Sequence, residues 1–203
     1  MANPRTPPAE VFLNVPYDFK FRRLFLAYIS GISAFGLVPR ATLELASSAR
    51  RLERIVELIQ DCRYSIHDLS RVELDRQAPT TPRFNMPFEL GLAVAYEQIA
   101  DRRHAWFVFE SVNRRLLKSL SDLNGTDPHI HNGTIAGVFR ELRNIFLRPR
   151  RQPSSRQMWD IYRDVRGTLP RVFRAAGGHS LYTARVFKDV CVIASNSADR
   201  IVL

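Results

Sequence analysis

Four short β-rich runs alternate with helical patterns over residues 11–109, and this alternation restricts the fold more than any other feature of the sequence. Apolar residues recur at helical spacing between the runs. Strands that alternate with helices of ten or more residues indicate a parallel sheet covered by helices on both faces. The predicted fold class is therefore α/β with a central parallel sheet, and ligands are expected outside the carboxyl ends of its strands. The predicted strands span residues 11–15, 36–41, 64–69 and 105–109, and the helices between them residues 21–29, 52–59 and 87–100.

The rest of the sequence divides the chain into three parts. Residues 1–9 are predicted to be a flexible arm, residues 10–147 the α/β domain, and residues 148–203 a C-terminal extension made of a basic linker, a helix and a tail. The helical pattern of the extension is predicted to be interrupted near Pro170, because proline lacks the N–H of a helical hydrogen bond. From Gly177 onward the sequence contains β-prone pieces without a pattern that predicts an element.

The last third of the domain is predicted from weaker patterns. Residues 116–123 are expected to lead into a fifth strand or a turn, residues 124–134 to form a loop, and residues 135–146 a helix. Asp122, Asp127, His129 and His131 are of metal-ligating types, but they lie among turn-forming residues in the predicted loop. No metal site and no bound cofactor are therefore expected.

Charge and cysteine content exclude several classes of protein. The net charge is +10, but residues 148–203 carry 11 Lys and Arg against 4 acids, which leaves +3 for the first 147 residues. No helix-turn-helix, zinc or aromatic RNA-binding motif accompanies this charge, so a nucleic-acid partner is not expected. Only Cys62 and Cys191 are present, which is typical of a reducing compartment. Without a membrane-spanning run or a signal-like start, a cytoplasmic protein is predicted.

Glu89 is the leading candidate for a catalytic residue. Pro87 suits the first turn of a helix and Asn85 can cap it, so Glu89 is expected in that first turn. Residues three, four and seven positions later are Leu92, Ala93 and Tyr96, which places Glu89 at the head of the face that packs on the sheet. The alternative is that the carboxylate only complements the helix dipole, a contribution of ~0.3–1 kcal/mol. Because its face is apolar, we favour a catalytic role.

Other candidate residues follow predicted strands. Asp68 ends the third strand and precedes a long loop over residues 70–83, so it is expected to face the same crevice as Glu89; the alternative is a turn cap. Asn14 and Tyr17 follow the first strand and are expected to bind a ligand rather than react with it. Further predicted binding residues are Arg40 and Arg83, which can pair with a pyrophosphate, and Asn85.

Two segments resemble known families. The sequence Val-Phe-Leu-Asn-Val-Pro at residues 11–16, with Asp18 and Phe21, resembles the opening of TIR domains. Asp-Leu-Ser at residues 68–70, followed by residues 84–93 around Glu89, is similar to the pattern of nucleoside 2-deoxyribosyltransferases. The resemblance implies a flavodoxin-like three-layer fold and a catalytic glutamate at Glu89 that acts on a ribosyl carbon.

The chemistry of the leaving group favours one substrate. Nicotinamide leaves NAD as a neutral molecule and needs no proton donor, whereas expulsion of a purine or pyrimidine is helped by a general acid. Arg83 lies in the region where deoxyribosyltransferases carry an acidic residue, so NAD is the favoured substrate. The predicted function is that of a TIR-like NAD glycohydrolase of bacterial defence or signalling that self-associates, with Glu89 as catalytic carboxylate and Asp68 holding ribose hydroxyls. The alternatives are nucleoside base exchange or hydrolysis, and a nucleotide-binding sensor or scaffold without turnover.

Overall fold

The computed structural model of the chain describes residues 7–44, 50–72, 74–75, 81–99, 104–123, 125–149 and 151–202. Its elements, in chain order, are β1 (Glu10–Asn14), α1 (Arg22–Ala34), β2 (Val38–Ala41), α2 (Arg51–Asp61), β3 (Tyr64–Asp68), β4 (Leu74–Asp75), β5 (Thr81–Pro82), α3 (Asn85–Ile99), β6 (Ala105–Glu110), α4 (Arg115–Ser119), β7 (His129–Ile130), α5 (Ile135–Ile145), α6 (Ser155–Ala176) and α7 (Ala184–Val202). Short 3-10 turns occupy Thr42–Glu44 and Ser121–Leu123. None of the described helices is both long enough and apolar enough to cross a bilayer.

The main sheet has five parallel strands in the order β2-β1-β3-β6-β7, which confirms the predicted α/β class and the flavodoxin-like arrangement. The chain first moves outward from β1 to β2, then returns to β3 on the other side of β1 and continues in the opposite direction. In open α/β sheets this reversal leaves a crevice at the carboxyl ends of the strands, where ligands bind. Strands β4 and β5 form a separate antiparallel pair within the predicted loop at residues 70–83.

Alternation along the central strands sends side chains into two cores. Val11 and Leu13 of β1 lie in a large cluster with α1 and α5, whereas Phe12 packs on the opposite face with α2 and Ala93 of α3. Successive residues of a strand point to opposite faces of the sheet. The sheet is therefore covered on both faces, and the parity of each residue decides which core it enters.

The C-terminal helices form an additional layer over α1. Helices α6 and α7 pack against each other and against α1, and their buried residues belong to the same cluster as the core of the sheet. As a result every residue of α1 from Leu24 to Ala34 is buried. A β-carbon at Gly31 would overlap the Leu142 side chain of α5, so the absence of a side chain there allows close packing of the helices.

The structure differs from the sequence-based expectations in three segments. The segment after Gly177 contains the 19-residue helix α7, in which Val186, Val190, Ala194 and Ala198 recur every four residues and are buried on one face. This helical spacing outweighs the β-propensity of its valines because tertiary packing overrides weak local preferences.

Helix α6 continues through Pro170 instead of being interrupted there. Pro170 lies on the exposed side of the helix, where water can hydrate the carbonyl group that loses its partner. The fifth strand of the sheet is β7, inside the predicted loop, whereas Leu116 and its neighbours form α4 and a 3-10 turn. A strand of two residues is too short to leave a periodic pattern.

Candidate active site

A polar pocket of about 350 Å³ lies at the carboxyl ends of β1 and β2, beside the start of α3. The pocket is at the carboxyl edge of the sheet and includes the end of β1, the strand beside which the order of the strands reverses. Five of the predicted site residues line it: Asn14, Tyr17, Arg83, Asn85 and Glu89. The other lining residues are Val15, Pro16, Thr42, Arg51 and Met86.

Glu89 is the acidic residue that lines this pocket. Glu89 is only 6% exposed, and this burial raises the pKa of its carboxyl group from 4.5 to about 7, while the positive charge of Arg51 acts to lower it. Among the described residues, none holds this carboxylate through a hydrogen bond or an ion pair. A buried acid without such a partner is available to a ligand.

Glu89 lies farther into its helix than predicted. Helix α3 begins at Asn85, two residues before the predicted start, and the amide of Phe88 donates to the carbonyl of Phe84. Glu89 is therefore the fifth helical residue, outside the first turn. Because the effect of the helix dipole falls off within the first turn, simple complementation of the dipole does not explain this buried acid.

Asn14 is held in one orientation by two hydrogen bonds. Its Nδ2 donates to Nδ1 of His67 and to the carbonyl of Met86, both over 2.9 Å. The carbonyl of Met86 can only accept, so this nitrogen must be the amide donor, and both of its hydrogens are used. The remaining Oδ1 of Asn14 is an acceptor that can receive a hydroxyl group of a ligand in the pocket.

A chain of buried polar groups extends from Asn14 beneath the pocket. Nε2 of His67 lies 2.9 Å from Oγ of Ser65, which lies 2.9 Å from Nε2 of His104, and Nδ1 of His104 donates to the carbonyl of Cys62. Starting from the Asn14 donor, one set of neutral tautomers satisfies every member: His67 donates to Ser65, and Ser65 donates to His104. Burial lowers the pKa of His67 to about 3, which keeps the ring neutral.

The sequence contains a signal for this chain of polar groups. Ser65 and His67 are polar residues two positions apart in a buried strand, so they share one face of the sheet. A buried histidine in such a strand requires partners on both ring nitrogens. The register of the sheet supplies one of them, because Asn14 is the direct neighbour of His67 across β1 and β3.

Tyr17, which follows β1, and Thr42, which follows β2, line one side of the pocket. The two hydroxyl groups lie 3.1 Å apart, and burial raises the pKa of Tyr17 well above its ordinary value, so the phenol stays protonated. Thr42 follows β2 in a 3-10 turn and was not among the predicted residues. Its position after a strand was the available signal, since residues at the carboxyl ends of parallel strands face the same crevice.

The arginines near the pocket differ from the prediction. Arg83 lines it and lies 3.9 Å from Oδ2 of Asp18. Arg51, at the start of α2, also lines it. Arg40 was predicted to bind a ligand, but it does not line the pocket. Its side chain, on β2, instead forms ion pairs with Glu10 over 2.6 Å and with Glu44 over 3.1 Å.

Asp68 was predicted to face the same crevice as Glu89, but it does not line the pocket. Its carboxylate is fully buried and accepts from the hydroxyl of Tyr28 over 2.7 Å and the amide of Ser70 over 2.9 Å, and Nε2 of His131 lies 3.2 Å away. The bond to Ser70 is the turn cap of the alternative interpretation.

Parity along β3 explains the separation of Asp68 from Glu89. Asp68 and Ile66 point to the face covered by α1, where Ile66 joins the main cluster, whereas His67 points to the face of Phe12 and α3. A shift of one residue would have exchanged the two sides. Asp68 therefore ties β3 to α1 and to the end of β7.

The four metal-ligand types of the predicted loop do not converge. His129 contacts Glu141 over 3.4 Å, and His131 accepts from the amide of Gly133 and faces Asp68. Within the part of the chain that the structure describes, no three His, Cys, Asp or Glu side chains form a group that could hold a metal ion.

The sequence was compared with protein families and with curated proteins. No known protein family matches the sequence, and no curated protein is similar to it.

Proposed function

We propose that the protein cleaves the N-glycosidic bond between nicotinamide and ribose in NAD, as its resemblance to TIR domains implies. The observation that carries this proposal is the buried Glu89 carboxyl group with a pKa of about 7, which borders a polar pocket at the carboxyl ends of β1 and β2. A carboxylate in such a site stabilises positive charge more strongly than one in water. NAD is the substrate in this proposal and not a resident cofactor.

The reaction needs one well-placed acid in its ionised form. Cleavage moves both electrons of the bond between C1′ and nitrogen onto the nicotinamide ring, which leaves as a neutral molecule. Positive charge develops on C1′ of the ribose, and the Glu89 carboxylate stabilises this charge or captures the carbon covalently. A water oxygen then bonds to C1′, displaces the Glu89 carboxylate where this has bonded to the carbon, and releases its proton to the solvent, which yields ADP-ribose.

The substrate itself favours the reactive form of the acid. At neutral pH the carboxyl group of Glu89 exists in comparable amounts of its neutral and ionised forms, because its pKa is about 7. The nicotinamide ring of NAD is cationic, and a nearby positive charge lowers the pKa of an acid. Binding of NAD is therefore expected to ionise Glu89 when its charge is needed.

The other lining residues match the polar groups of a dinucleotide. Oδ1 of Asn14 and the hydroxyl groups of Tyr17 and Thr42 are suited to ribose hydroxyls. Arg51 and Arg83 supply positive charge for a pyrophosphate. The pocket volume of about 350 Å³ is within the range of small-molecule sites, roughly 300–1,000 Å³, and suits part of a dinucleotide.

Incubation of the full chain with NAD tests the proposal. We expect nicotinamide release, measured by chromatography, and a loss of roughly 100-fold or more in kcat for Glu89→Gln, as is typical when a group that stabilises a transition state is removed. Glu53→Gln is the matched control, because Glu53 is an exposed helical glutamate outside the pocket. Since TIR-like enzymes are expected to act as assemblies, protein concentration is varied. No release at any concentration would overturn the proposal.

Hydrolysis or exchange of nucleoside bases is the second candidate function. One observation favours it: a pKa of about 7 leaves part of Glu89 protonated at neutral pH, and a protonated carboxyl group can donate a proton to a departing base. Incubation with a panel of nucleosides, followed by chromatography of the products, distinguishes it from NAD cleavage. Calorimetry that finds binding to wild type and to Glu89→Gln without any turnover would instead identify a sensor.

A further inference from the structure

A second and larger cavity, of about 600 Å³, lies between the start of α1 and the C-terminal helices. Apolar and aromatic side chains form much of its lining, among them Leu26, Tyr162, Leu169 and Phe173. Leu26 and Tyr162 are almost completely buried, so this part of the lining belongs to the packed core. A body of hydrocarbon or an aromatic ring would be desolvated here.

Three arginines border the same cavity: Arg22, Arg23 and Arg166. Within the described residues, none of the three pairs with a carboxylate, although Arg163 and Arg200 nearby are paired with Asp160 and Asp164. The guanidinium group of Arg22 instead lies 3.9 Å from the centre of the exposed Phe19 ring. Unpaired guanidinium groups beside an apolar cavity create a field that attracts an anion.

The acidic residue of the cavity does not neutralise this charge. Asp18 accepts from the amides of Lys20 and Phe21 through Oδ1, while its Oδ2 binds Arg71 over 2.8 Å and lies 3.9 Å from Arg83. Asp18 is therefore already engaged by positively charged groups other than the three arginines. The charge that faces the cavity is positive.

We infer that this cavity is a binding site for a small organic anion with an apolar body. The apolar lining holds the body, and Arg22, Arg23 and Arg166 neutralise a carboxylate or phosphate group at the mouth of the cavity. This inference concerns a site separate from the proposed active pocket and does not depend on the activity proposed there.

Tyr17 connects the two sites, since it lines both cavities. Its hydroxyl group contacts Thr42 in the active pocket, whereas its ring packs against Tyr182 of the second cavity, with ring centres 5.5 Å apart. The hydroxyl of Tyr182 in turn donates to the carbonyl of Asp18 over 2.6 Å.

Paired anionic and neutral probes test the binding site on the full chain. We expect 1-naphthyl phosphate and decanoate to bind at least 10-fold more tightly than 1-naphthol and decanol in calorimetric titrations. Arg166→Gln is expected to weaken the two anions at least 10-fold and to leave the neutral compounds unchanged. Arg163→Gln is the matched control, because Arg163 is an exposed arginine of the same helix that does not line the cavity.

These outcomes distinguish specific binding in the cavity from nonspecific binding to the protein. Equal affinity for anionic and neutral probes, equal effects of Arg166→Gln and Arg163→Gln, or no binding of any probe would each overturn the inference. Thermal unfolding of each variant checks that the fold is retained. Leu169→Trp, which fills the cavity and leaves its charge unchanged, is expected to abolish binding of all four probes, and retained binding would place them elsewhere.

Discussion

Replacement of Glu89 by glutamine should make the protein more stable at alkaline pH. Burial raises the pKa of the Glu89 carboxyl group from 4.5 to about 7, so the folded protein disfavours the ionised form. A shift of about 2.5 units corresponds to about 3 kcal/mol at ~1.36 kcal/mol per unit. Glutamine has nearly the same shape and carries no charge, so Glu89→Gln removes this cost.

The effect has a defined dependence on pH. Between pH 4.5 and about 7 the folded protein binds more protons at Glu89 than the unfolded chain does, so this residue lowers the stability of the wild type as pH rises. The cost is absent at pH 4 and complete above pH 8. The free energy of unfolding of Glu89→Gln relative to wild type should therefore increase by about 3 kcal/mol from pH 4 to pH 8.

Urea unfolding of both proteins at unit intervals from pH 4 to pH 8 measures this difference. Any packing cost of the amide is the same at every pH, and so are the contributions of the other titrating groups, so only the change with pH reports on Glu89. In thermal melts at pH 8 the corresponding increase in Tm is roughly 6–12 °C for a chain of this size. Glu53→Gln, at an exposed site, should give a difference near zero throughout. A gap between Glu89→Gln and wild type that does not vary with pH would refute the argument.

Glu89, His67 and Asp68 can each be tested by a separate measurement. For NAD cleavage, kcat/KM should rise with pH and level off above an apparent pKa of about 7, because the ionised Glu89 is the reactive form; a kcat/KM for NAD that falls above pH 7 would contradict this role of the ionised acid. His67→Phe removes the acceptor that orients Asn14, so KM for NAD should rise about 10-fold with a smaller change in kcat, and an unchanged KM would remove Asn14 from the binding site. Asp68→Asn should lower the free energy of unfolding by about 1–3 kcal/mol while kcat per folded molecule stays near wild type, and a selective loss of kcat in a stable variant would return Asp68 to the reaction.

Local patterns in the sequence determined the fold class and the leading candidate of the site. The period of two in strands and of 3.6 in helices is carried by neighbouring residues, so the strands near residues 11, 38, 64 and 105 were correctly located. The inward direction of Glu89 was predictable for the same reason, because the apolar residues that follow it define the buried face of α3. Asn14, Tyr17, Arg83 and Asn85 were likewise found by their positions after strands or before the helix.

Features that depend on distant partners were decided by tertiary structure. The side chain of Asp68 turned to α1 because the parity of β3 relative to its neighbours placed it there, and Arg40 was captured by Glu10 and Glu44.

The polar chain beneath Asn14, the helix α7 and the cavity beside it also required the assembled fold. Each arises where segments far apart in the sequence meet: β1 with β3, and α1 with the last two helices. The pKa of Glu89 belongs to the same group, since its cause is burial. The sequence by itself therefore determined the elements and the direction of one acid, while three-dimensional packing decided which groups meet and how strongly each holds its proton.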